Sequence, residues 1–126
     1  MSRPIFFLVI TVVGLLFAGF MLLAPAGFAQ NAGLAASPET SFVFRALGSA
    51  ILSVSLLNFM VRNNPDSDTL AAILWMNIAL HVLAVVVDFI GVGQGLVTIG
   101  HAAPGLVVHA LIAIGAYVYI ARMKTA

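Results

Sequence analysis

Residues 5–24, IFFLVITVVGLLFAGFMLLA, run without one charged side chain, and no other feature constrains the fold so strongly. A helix rises about 1.5 Å per residue and a bilayer's hydrocarbon core is about 30 Å thick, so about 20 such residues cross it once. The sequence supplies that length four times, over 5–24, 42–61, 70–92 and 102–121. Composition agrees: of 126 residues, 63% are hydrophobic and 7% charged, against about a quarter charged in soluble domains. A water-soluble domain of this size has too little interior for that apolar surface.

The first run is followed by small residues, with Gly27 and Ala29 spaced as at a signal-peptidase site before Gln30 and Arg3 as a positive start. A secretory signal's apolar region is about 7–15 residues long, shorter than 5–24. The run therefore reads as a first transmembrane helix that the protein keeps. Pro25 stops it, and Ser37 before Pro38 forms a helix start, because proline suits a first turn. RNNPDSDT, between the second and third runs, offers Asp66, Ser67, Asp68 and Thr69 as caps. GVGQGLVTIG separates the third run from the fourth. Its glycines follow a hydrophobic helix and not a strand, so they end a span instead of forming a dinucleotide-binding loop.

Lysine and arginine near span ends stay on the cytoplasmic side. Arg3, Arg62, Arg122 and Lys124 all map to one side, and the opposite connections, 25–41 and 93–101, contain neither residue type. Both termini are expected in the cytoplasm. The fold class is an all-α integral membrane protein, one domain over 1–126, packed as an antiparallel four-helix bundle. Gly14 and Ala18, four apart, permit close helix approach, which matters because lipid gives helices no hydrophobic reason to associate.

Several function classes fall away. A net charge of +1 gives no basic field for nucleic acid. The absence of cysteine removes disulfides, thiolate metal sites and thioether-linked haem. No GxSxG elbow, HExxH pair, phosphate loop or close carboxylate pair occurs, and Asp88 with His101 could do acid–base work only on a substrate entering from the outer leaflet, with no nucleophile to accompany them.

An ionisable group in hydrocarbon costs about 2.5–3.5 kcal/mol on insertion scales, so the few inside the spans are informative. They are Arg45, His81, Asp88 and His109, with Asn58 and Asn77 as lesser cases. At about 100° per residue, Asn77, His81, Ala84 and Asp88 share a narrow arc of the third helix while Trp75 points away. That face is expected to look into the bundle. Arg45 and Asp88 fall at one level, roughly 4–6 Å below the outer boundary, and are expected to form an ion pair that His101 can join. His81 and His109 lie roughly 16 and 10 Å deep. Hydrogen bonding across helices is their ordinary role; two neutral imidazoles are also what a haem b or quinone site needs.

The run FVFRALGSAILSVSLLNFMVR, after a first span ending in proline and a loop of small residues, resembles small bacterial four-helix membrane proteins of the DoxX-like type. The likeness is most specific around Arg45, Ala46, Leu47 and Gly48, with HVLAVVVD in support. It implies a multi-pass protein of the bacterial inner membrane and a membrane subunit accompanying another protein, often in redox chemistry. It carries no catalytic residue onto this chain. The leading expectation is a non-catalytic accessory or structural subunit, without a cofactor. Its partners are lipid and other integral membrane proteins or copies of itself. The alternative is a protein binding a small molecule, quinone or haem b through Asn77, His81, His101 and His109, with Arg45 and Asp88.

Overall fold

A computed structural model describes residues 1–123; Lys124, counted above among the cations of one side, lies outside them. The described residues form five helices: α1 (Arg3–Leu23), α2 (Pro25–Asn31), α3 (Pro38–Val61), α4 (Asp68–Gly93) and α5 (Ile99–Ile120). Four of them, α1, α3, α4 and α5, are long and apolar enough to cross a membrane. At 21 to 26 residues each, they span about 31–39 Å. Each overlaps one of the four apolar runs, α1 and α5 stopping one residue short of the expected ends at 24 and 121.

Helix starts follow the polar residues in the connections. Ser37 caps α3, its hydroxyl accepting from the Thr40 N–H at 3.1 Å, with Pro38 in the first turn. Of the four candidates before α4, Ser67 is the cap, accepting from the Leu70 N–H at 3.2 Å. α5 begins at Ile99, three residues before the expected 102, because Thr98 caps it and accepts from the His101 N–H at 3.4 Å. Two helices end in the same way. Gly33 (φ 77°) and Gly95 (φ 70°) adopt the left-handed conformation that side chains resist. The next residue then bonds back across the turn, Leu34 N–H to Ala29 O and Leu96 N–H to Gly91 O, both at 2.9 Å. The GVGQG run therefore ends a helix and turns the chain, as its position predicts.

Residues group into two compact units, Met1–Arg62 and Asn63–Ala126. In the first, α1 and α3 run antiparallel in close contact. A Cβ added to Gly14 would collide with Ser55 Oγ, and one added to Gly48 would lie 2.9 Å from Met21 Cβ and 3.2 Å from the Ala18 carbonyl oxygen. Thr11 donates to the Ser55 carbonyl at 3.3 Å, and Ala18 has no exposed surface. Gly14 and Ala18 thus sit in the helix contact that their spacing predicts; their partners on α3 are Gly48 and Ser55. Segment 25–41 contains a short helix, α2, held by Phe28. Its ring meets Phe17, Phe20 and Phe44 edge-on, with centroids 6.2, 5.4 and 4.9 Å apart. Such pairs contribute about 0.5–1.5 kcal/mol each beyond area burial.

In the second unit, α4 and α5 run antiparallel. Leu70, Leu74 and Asn77 of α4 and Ala102, Ile112 and Ala116 of α5 are buried. Trp75 is exposed, on the side opposite Asn77, as the helical arc requires. Asn77 donates to the Ile73 carbonyl one turn back at 2.9 Å.

Candidate functional site

The polar arc of α4 meets α5 at two levels. At the deeper one, His81 Nδ1 and His109 Nδ1 lie 2.8 Å apart. The ring centroids are 5.0 Å apart and the planes 39° to each other, so the contact is an in-line hydrogen bond and not a stack. A helix counted from its capped start explains why these residues meet. With α4 ending at Gly93 and α5 beginning at Ile99, His81 and His109 lie about 18 and 15 Å along the axis from those ends, closer to one level than the expected helix limits gave.

The hydrogen bond restricts protonation. One Nδ1 must carry a hydrogen and the other a lone pair, so two charged imidazolium rings cannot keep this contact. When both rings are neutral, one leaves an Nε2 acceptor and the other an Nε2–H donor. A metal bound between two imidazoles at bonds of about 2.0–2.1 Å holds its nitrogens about 3.3 Å apart in tetrahedral geometry and about 4 Å apart when they are trans. In this arrangement a proton, not a metal, joins the two Nδ1 atoms. Haem b ligation through those atoms would require the rings to part.

At the second level, Asp88 lies against α5 where there is no side chain: a Cβ on Gly105 would stand 3.5 Å from Asp88 Oδ2. Gly105 lies one helical turn before His109 on α5. An apolar groove of about 260 Å³ runs beside the pair, lined by both imidazoles, Val82, Val85, Val86 and Ile114 among others. The structure thus brings His81, His109 and Asp88 to one side of the α4–α5 contact, with Asn77 one turn below His81.

His101 is placed differently. It is exposed in the first turn of α5, and its Nδ1 lies 2.8 Å from Thr98 Oγ1, so the ring reinforces the cap. Arg45 belongs to the first unit and Asp88 to the second. Their expected ion pair continues to rest on the sequence alone.

Arg45 has surroundings that its sequence context does not disclose. It is exposed on α3 and lines a groove of about 620 Å³ with Ser37, Pro38 and Ser41 on one wall and Leu23 to Gly27 on the other. The helix-contact role of Gly48 and Ser55 is likewise absent from the sequence expectations. Seven apart, they lie about 20° from each other around α3, and two small residues in that relation are the signal that marks its contact face.

The chain matches no protein-family model, no curated protein and no solved structure.

Proposed function

We propose that this chain is a small, non-catalytic integral membrane protein that serves as an accessory or structural subunit of a larger membrane complex. One observation carries the reading: Thr11, Ser55, Asn77, His81 and His109 each form a hydrogen bond inside their own helix pair. Thr11 bonds to the Ser55 backbone, Ser55 to Ile51, Asn77 to Ile73 and His81 to His109. Meanwhile Leu8, Val12, Leu16, Phe42, Leu83, Val87 and Leu111 stand exposed, on faces suited to lipid or a partner's spans. In this reading the four spans pack as an antiparallel bundle with both termini in the cytoplasm. The DoxX-like resemblance adds support for a bacterial inner membrane and for a companion protein.

Purification from native membranes in mild detergent tests the role directly. A second protein held at fixed stoichiometry is the expected result, and a lone chain in every detergent tried would sink the accessory reading. Topology is tested separately, since the chain lacks cysteine. Cysteines introduced singly at Asn31 and Gln94 should react with an impermeant maleimide from outside, and one at Asn64 should not. The reverse pattern would invert the orientation.

A second reading is favoured by the groove beside His81 and His109. A quinone-like carbonyl could accept from the free Nε2–H there, and His81→Phe or His109→Phe should then abolish binding. Unchanged retention of added quinone by both variants removes this reading.

A further inference from the structure

We propose that the groove between the α1–α2 corner and the start of α3 binds a phosphate group, that of an anionic phospholipid headgroup, through Arg45 and Ser41. The inference rests on the chain being in a membrane but not on its accessory role.

Arg45 is the only Lys or Arg between Arg3 and Arg62, and the first unit contains one carboxylate residue, Glu39. Glu39 cannot serve as its partner from the same helix: six residues earlier, it lies about 120° away around the axis, and it does not line the groove. Ser41 is four residues before Arg45, so the two lie about 40° apart and about 6 Å apart along the axis. Helical side chains lean toward the N-terminus of their helix, which directs the guanidinium toward Ser41 and the nearby membrane boundary. Arginine buries its stem in this way while its head reaches polar groups at the interface.

The opposite wall fits the rest of a lipid. Ala24, Pro25, Ala26 and Gly27 bring no charged side chain into the groove, and the small residues leave it open. Leu23, on the same wall, is 87% exposed and offers an apolar surface to an acyl chain. α2 cannot drift across the opening, because Phe28 is fixed among Phe17, Phe20 and Phe44. The groove's one charge is positive, its neighbouring hydroxyl can donate, and guanidinium binds phosphate oxygens two at a time. An anionic headgroup is preferred over a zwitterionic one because choline places a second cation beside Arg45.

The test is native mass spectrometry of the detergent-purified full chain, titrated with phosphatidylglycerol, phosphatidylcholine or inorganic phosphate. One phosphatidylglycerol retained per chain, in preference to phosphatidylcholine, is expected. Arg45→Gln should weaken retention about ten-fold, as loss of a charge-assisted hydrogen bond does, and Arg45→Lys less. Arg45-dependent binding of inorganic phosphate that displaces the lipid would support the phosphate site and assign it to a solute. Equal retention by Arg45→Gln would overturn the proposal. So would retention that appears only in Asp88→Asn, since Arg45 would then be occupied by Asp88 in the natural chain. Should Arg45→Gln fail to fold, the headgroup preference of the unaltered protein and the loss in Ser41→Ala decide the question. A chain that purifies without detergent would instead refute the membrane reading beneath it.

Discussion

The helices α1 and α3 touch where side chains are missing, whereas α4 and α5 carry a hydrogen-bonded pair of polar side chains within their contact. Gly14, Ala18 and Gly48 let the first pair approach until backbone meets side chain, with Thr11 and Ser55 closing the contact. The second pair is joined by the His81–His109 hydrogen bond, with Gly105 opposite Asp88 and Ala102 and Ala116 buried on α5. Within lipid both routes are open, since van der Waals contact and interhelical hydrogen bonds replace the absent hydrophobic drive. They differ in what they leave available. Close packing uses up the surface it forms on, while an imidazole pair retains two Nε2 atoms and a groove beside it.

That contrast can be broken experimentally. The largest effect is expected from Gly48→Leu, whose side chain must displace Met21 and the Ala18 carbonyl, at about 3 kcal/mol. Reversible unfolding in mixed micelles measures it, and a neutral result would mean that α1 and α3 are not held by close approach. Next come His81→Phe and His109→Phe, each leaving one imidazole without its partner at about 1–2 kcal/mol. The double variant should cost less than the two losses added together. Strict additivity would show that the 2.8 Å contact contributes nothing to stability.

Gly14→Ala is expected to cost about 1 kcal/mol, and Ser55→Ala should relieve much of that by removing the oxygen it meets. If the relief is absent, Gly14 acts through helix flexibility and not through contact. The smallest effects sharpen the comparison at the helix ends. Ser37→Ala and Ser67→Ala each remove one cap, at about 0.5–1 kcal/mol, and should do so equally in the two units. Unequal losses in unfolding would show that one pair depends more on its connection than the other.

Much of this architecture was legible beforehand, for local reasons. Four helices long and apolar enough to cross a membrane follow from runs of apolar residues, and Ser37 and the SDT segment marked helix starts because capping needs only a hydroxyl or carboxylate a few residues ahead. The arc through Asn77, His81 and Asp88 followed from helical periodicity. Other features were hidden. That α2 is a helix depends on Phe28 finding Phe20 and Phe44, residues on two other helices. The start of α5 at Ile99 was obscured because hydropathy is weak over TIGH, where Thr98 and His101 satisfy each other.

The sequence by itself determined how many helices are long and apolar enough to cross a membrane, which residues can cap α3 and α4 and which face of α4 is polar, since each depends on residues close together in the chain. Only the tertiary structure decided that Gly48 is the partner of Ala18, that His81 and His109 share a proton, and that Arg45 lies in a groove with Ser41. Those outcomes depend on the axial register and rotation of one helix against another. A shift of a single residue moves a contact by about 1.5 Å and turns it by about 100°, and hydropathy is almost blind to that difference.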